Sequence, residues 1–154
     1  ATSSTSWDNT APTNSVFSLG ADDNTNKDGN DYIMYCWTAI PGYSAFGSYT
    51  STGANPHFIY TGFRPKWMMI KRIDAGSSPH NWGLLDSVRY PINQALHTLA
   101  ANSSGKEADF SNNYLDILSN GVTIRTTGGW SNTNTGTYIW AAFAEHPFKT
   151  TRAR

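Results

Sequence analysis

Large apolar residues occur along this chain in short runs, separated by glycine, asparagine, aspartate and proline. The clearest run is Trp67-Met68-Met69-Ile70, entered through the turn signal Gly62 to Pro65 and closed by Lys71 and Arg72. It is too short for a typical helix and is bounded like a strand. No polar residue alternates inside it, so both of its faces are expected to be covered, as in a central strand between two layers. Lys66, Lys71 and Arg72 flank it as charged guards against aggregation. The same reading predicts strands at Val16–Leu19, Tyr32–Thr38, Phe46–Thr52, His57–Tyr60 and Trp82–Ser87, then at Phe110, Tyr114–Leu118, Val122–Arg125 and Tyr138–Ala144. Ile92, Ala95, Leu96, Leu99 and Ala100 have helical spacing, but Pro91 and the Ala101 to Gly105 turn residues leave room only for a short strand or a single helical turn. Asn120-Gly121 is a strong hairpin turn, and Pro41-Gly42 turns the chain earlier.

These elements predict an all-β protein, an antiparallel β-sandwich of jelly-roll-like type. An internal repeat refines the picture. Tyr32-Ile33 and Tyr138-Ile139 lie 106 positions apart, and the same offset relates Asn14 to Asn120, Val16 to Val122, Asn26 to Asn132 and Pro41 to Pro147. A constant offset across two strand–loop–strand segments predicts one hairpin unit used twice. On this reading residues 1–41 close a preceding β module and residues 42–154 form a complete one, packed together as one compact unit. The chain is then a fragment of a longer array, or a processed product, ending at a natural C-terminus.

Composition adds limits. The 154 residues suffice for a core without metal or disulfide staples, and Lys+Arg 11 balance Asp+Glu 11. No global field therefore draws the chain to nucleic acid or to an anionic membrane. Only 14% of residues are charged, so the surface is made largely of neutral polar groups, as on a virion, a cell exterior or a lectin. The single cysteine, Cys36, can form no intrachain disulfide and is expected to be buried packing. No apolar segment is long enough to span a bilayer, and no membrane insertion is expected.

Candidate chemistry is sparse. Asp22, Asn24, Asn26 and Asp28 alternate as oxygen ligands do in calcium loops, but the sixth and twelfth positions hold Lys27 and Ile33 where such loops need Gly and Glu. A solvated loop is the better reading. His57, His80, His97 and His146 show no metal-ligand spacing, and no GxSxG elbow is present. No metal, no cofactor and no enzymatic activity are expected. Binding is the better prospect. Trp130 lies in a loop rich in Gly and Asn, where an exposed indole flanked by the amides of Asn132 and Asn134 could stack on a sugar ring while the amides bond its hydroxyls. Tyr43, Trp82 and Tyr90, each beside a turn, are weaker candidates. Trp37, Trp67 and Trp140 sit inside predicted strands and are expected in the core.

Several ordered motifs resemble a known family. Tyr32 to Cys36, Gly42 to Thr50, Tyr60 to Pro65, Ile70 to Arg72, Leu118 to Gly121 and Ala144 to Lys149 resemble the C-terminal region of tail-fibre-like virion structural proteins of tailed bacteriophages, and Trp7 to Thr13 resembles the matching stretch of a preceding repeat. The resemblance implies a β-sandwich module on the outside of a phage particle, with no enzyme activity. It implies association with copies of itself, a trimer by analogy with fibres, and with other virion proteins. Its expected role is an appendage tip contacting a host surface glycan. The alternative is a purely structural role, as a capsid decoration or a fibre joint.

Overall fold

A computed structural model describes residues 4–75, 80–95, 97–109, 115–127 and 130–147. The chain divides into two units, Ala1–Trp37 and Thr38–Arg154. All nine named strands belong to the second. They are β1 (Ser44–Thr50), β2 (His57–Tyr60), β3 (Pro65–Arg72), β4 (Gly83–Asp86), β5 (His97–Ala100), β6 (Ala108–Asp109), β7 (Leu115–Leu118), β8 (Gly121–Ile124) and β9 (Thr137–Ala144). There is no helix among the described residues.

Two antiparallel sheets form a sandwich. The larger has the order β1-β9-β3-β4-β5, with the two-residue β6 beside β5 at its edge; the smaller has the order β2-β8-β7. Between them lies the core. Met68, Ile70, Leu85, Tyr138 and Ala142 face inward from the larger sheet, and Ile59, Leu115, Ile117, Val122 and Ile124 from the smaller. Burying this many large side chains on two facing sheets is the main source of stability, at about 1.5–3 kcal/mol for each.

The chain enters the sandwich through a tight turn. Tyr43 N–H donates to the Ile40 carbonyl at 2.9 Å, with Pro41 and Gly42 between them. Gly42 has φ +75°, the sign that the third residue of a type II turn requires. Near the start of β3 the pairing with β9 slips between Pro65 and Trp67, so Lys66 bulges out and its carbonyl accepts from Ser87 N–H at 2.9 Å.

The expected central strand is present as β3, paired with β9 on one side and β4 on the other. Its two faces differ from the expectation. Met68 and Ile70 are buried in the core, whereas Trp67 and Met69 on the opposite face are only half-buried. Trp67 is apolar there because it joins an aromatic cluster on the outer face: Phe143 lies 5.6 Å from Trp67, 5.9 Å from Tyr43 and 6.0 Å from Phe46, ring centre to ring centre. The segment from 92 to 100 resolves into β5 and an isolated bridge, Ala95 to Leu115, which ties the end of one sheet to the other. The predictions at Phe110 and Tyr114 fall outside the described residues.

The repeated hairpin is corrected. In the second copy β8 and β9 do not pair with each other; they lie in opposite sheets, and the loop between them arches across the sandwich. In the first copy, the strands expected at Val16–Leu19 and Tyr32–Thr38 are not formed. Ile33 is 82% exposed, Tyr35 72% and Trp37 62%, and Cys36 is exposed rather than buried. A strand needs a neighbour to satisfy its ladder of backbone groups, and the described residues of the first unit supply none.

Candidate ligand pocket

Strand β4 opens with Gly83, opposite Ile70 of β3 and Ala100 of β5. The missing side chain is what shapes the site. A Cβ at this position would stand 2.5 Å from the Trp130 ring, so the indole lies directly against the strand backbone. Trp130 is therefore half-buried and packed against the edge of the core, where a fully exposed ring was expected.

Between the indole and the β4–β5 pair is a cavity of about 130 Å³, lined by His80, Asn81, Gly83, Thr98, Leu99, Ala100 and Trp130. Two lining residues carry buried polar atoms that have no hydrogen-bond partner: Trp130 Nε1 and Thr98 Oγ1. Thr98 is 3% exposed. Leaving such groups unpaired costs about 1–3 kcal/mol each. At the rim, Asn102 orders the loop before β4. Its Oδ1 accepts from Trp82 N–H at 2.9 Å, and its Nδ2 donates to Asn81 Oδ1 at 3.1 Å. Lys71 donates to the His80 carbonyl and stands 5.9 Å from the centre of the Trp82 ring. The lining contains no carboxylate and no lysine or arginine. An indole and neutral polar residues in the lining suit a neutral ligand rich in hydroxyl groups better than an ion.

The loop that carries Trp130 is held from below by Asn132. This residue is 0% exposed. Its Oδ1 accepts from Ser51 Oγ, and its Nδ2 donates to the Ala54 carbonyl at 2.8 Å and to the Thr126 carbonyl. The amide is thus fully used within the protein, which removes Asn132 from the ligand-facing set and makes it a support. Neighbouring bonds act in the same way. Tyr49 OH donates to the Ser131 carbonyl at 2.6 Å, and Thr133 N–H donates to Tyr138 OH at 2.9 Å. Tyr49 and Tyr138 stack at 4.9 Å. Burial, with Tyr138 beside it, pushes the Tyr49 hydroxyl far above its ordinary pKa, so this anchor stays protonated.

The other expected ligand residues do not converge on the cavity. Asn134 is exposed and its side chain backs onto Gly53. Trp82 precedes Gly83 but is not part of the lining; its ring packs with Lys71. Tyr43 belongs to the aromatic cluster around Phe143, toward the other end of the larger sheet. Thr98, His80 and Asn81 escape a reading of the sequence because nothing local marks them. Gly83 gives the only usable signal, since glycine inside an apolar strand often marks a close approach.

In the polar loop of the first unit, the Asp22 carboxylate accepts from Ser6 Oγ at 2.7 Å and from Asn24 N–H and Nδ2 at 2.8 and 2.9 Å. The Asn24 backbone bond, the Ser6 hydroxyl and the Asn24 amide hold its pKa below the usual carboxylate value. No group of three or more His, Cys, Asp or Glu that could hold a metal is found among the described residues.

A family model described as a domain of unknown function (DUF7483) matches residues 1–147. No curated protein and no solved structure matches the chain.

Proposed function

We propose, for a chain that belongs to the DUF7483 family, a role as an exposed module of a bacteriophage tail fibre or appendage that binds a host surface glycan in the Trp130 pocket. The observation that carries this reading is an indole beside a cavity whose lining holds no carboxylate, lysine or arginine, with two unpartnered polar atoms, Trp130 Nε1 and Thr98 Oγ1, buried within residues that line it. A pyranose ring stacks its apolar face on an indole and presents hydroxyls to an N–H donor and a threonine hydroxyl. The neutral polar surface and the resemblance of the ordered motifs to virion fibre proteins support the setting, at the particle surface and outside the cell. The module acts in several copies, so weak single-site affinity would be multiplied by avidity.

The test is binding of the labelled, multimerised module to an array of bacterial surface saccharides, beside Trp130→Ala and Thr98→Val versions. Binding to a defined set of glycans, lost with Trp130→Ala and weakened about tenfold or more with Thr98→Val as a desolvated hydroxyl loses its partner, is the expected result. Binding that survives both changes would place the receptor elsewhere.

A structural role without a receptor draws support from one feature, the outer-face cluster of Tyr43, Phe46, Trp67 and Phe143. Tyr43 and Phe46 are each more than a third exposed, as contact residues between copies would be before assembly. Phe46→Ser would then weaken self-association, read by sedimentation, without changing glycan binding.

A further inference from the structure

The 106-residue offset extends from residue identities to hydrogen bonds. Asn26 Nδ2 donates to the Gly20 carbonyl at 3.1 Å, as Asn132 Nδ2 donates to the Thr126 carbonyl. Lys27 N–H donates to Tyr32 OH at 3.0 Å, as Thr133 N–H donates to Tyr138 OH at 2.9 Å. Asn30 N–H donates to the Lys27 carbonyl at 3.2 Å, as Gly136 N–H donates to the Thr133 carbonyl at 2.9 Å. Gly29 has φ +76° where Thr135 has φ +61°. Every one of these pairs differs by 106. Residues 26–32 of the first unit therefore share the bonding pattern of residues 132–138, a described part of the arch that leads into β9.

Beyond the two arches the units differ. In the second unit β9 is paired on both sides, with β1 and with β3, and Tyr138 and Ala142 are fully buried. The equivalent residues in the first unit, Tyr32 and Cys36, are exposed, and residues 32–37 form no ladder with any described residue. Asn132 makes two bonds to the connection after β1, to Ser51 and Ala54. The Asn26 side-chain amide bonds only Gly20, within its own loop, among the described residues.

We infer that residues 20–37 are the closing arch and strand of a second module of the same kind, and that residues 32–37 are completed by two strands of the β1 and β3 type from a preceding half-module. Alternation along the segment fits this place. Tyr32, Met34 and Cys36 correspond to Tyr138, Trp140 and Ala142 on the core side, and Ile33, Tyr35 and Trp37 to Ile139, Ala141 and Phe143 on the outer side. The partner therefore supplies an aromatic ring to stack on Tyr32, as Tyr49 does for Tyr138, and a hydroxyl for the Asn26 amide, as Ser51 does for Asn132. This inference is independent of the glycan reading.

Cys36, the only cysteine, reports on it directly. A chain in which residues 38–125 are placed ahead of Gly20 makes residues 20–37 follow β8 as residues 126–143 do, and adds no cysteine. The thiol of the 154-residue chain is expected to react with a disulfide reagent at the rate of an unfolded control. In the extended chain it is expected to react at least about tenfold more slowly, because it is reached only by opening the strand. An unchanged rate in the extended chain overturns the inference. So does a thiol already protected in the 154-residue chain, because a second copy or this chain itself would then be the partner. If the extended chain does not fold, its Met34→Trp version restores the volume of Trp140 in the strand; failure of both to protect Cys36 also overturns it.

Discussion

Asn132 shows how much one side chain can organise. Its amide bonds Ser51 Oγ and the carbonyls of Ala54 and Thr126 from a position with no solvent contact. Asn132→Ala leaves these partners unpaired in the interior, and a loss of about 2–3 kcal/mol is expected in urea unfolding. Gly83 makes the complementary case. Gly83→Ala drives a methyl into the Trp130 ring, so the indole must leave the strand; a loss of about 1–3 kcal/mol is expected, together with loss of saccharide binding in a variant that still folds. Trp130 is recognisable as a binding candidate from its loop, but the role of Asn132 is not. An amide two residues from an exposed-looking indole reads as a ligand group until the β1–β2 connection, some eighty positions earlier, is known to meet it.

At the scale of elements, strand identity is largely legible in the sequence and pairing is not. Trp67–Ile70, His57–Tyr60, Val122–Arg125 and Tyr138–Ala144 all overlap observed strands, because short apolar runs bounded by turn residues have few other outlets. The partners of β9 lie far away in sequence, at Ser44–Thr50 and Pro65–Arg72, and periodicity carries no information about them. That is also why an arch between sheets reads as a hairpin. The segments Val16–Leu19 and Tyr32–Thr38 have the right residues but lack a neighbour among the described residues, and composition alone cannot report that.

The join between β3 and β9 makes a pH prediction. Asp74 accepts from Arg72 Nε at 2.7 Å and from Thr137 N–H at 2.7 Å, so it ties the end of β3 to the start of β9. The Arg72 bond is the largest influence; burial opposes it, and with the Thr137 bonds and the Arg72 charge added the carboxyl's pKa lies below the usual value. For Asp86, burial raises the pKa, but the backbone and guanidinium of Arg89 and the Val88 N–H outweigh it, and the net shift is downward. Groups with depressed folded pKa values contribute stability that is present above the unfolded value of about 3.9 and is lost as pH falls through the folded value. His57, packed against Tyr49 at 4.9 Å, has its pKa lowered by burial. It adds a loss that begins as pH falls below about 6.5, where the unfolded imidazole takes up a proton first. The urea midpoint should therefore decline in two stages on acidification. His57→Gln should abolish the upper stage, and Asp74→Asn should reduce the lower one.

For the whole molecule, an all-β sandwich is legible because runs too short for helices, dense turn residues and abundant aromatics admit little else. The candidate pocket is legible in the sequence at Trp130 and, more weakly, at Gly83, since its other walls come from β5 and the loop before β4. The central claim is that this pocket holds a saccharide. The most direct measurement is the 1H–15N spectrum of the protein during titration with a saccharide found on the array, with the six indole N–H signals assigned. The Trp130 Nε1–H signal should move saturably while those of Trp67 and Trp140 stay in place, and Thr98→Val should weaken the response. A saccharide that binds while the Trp130 signal does not move, or an array with no binder at all, would contradict it.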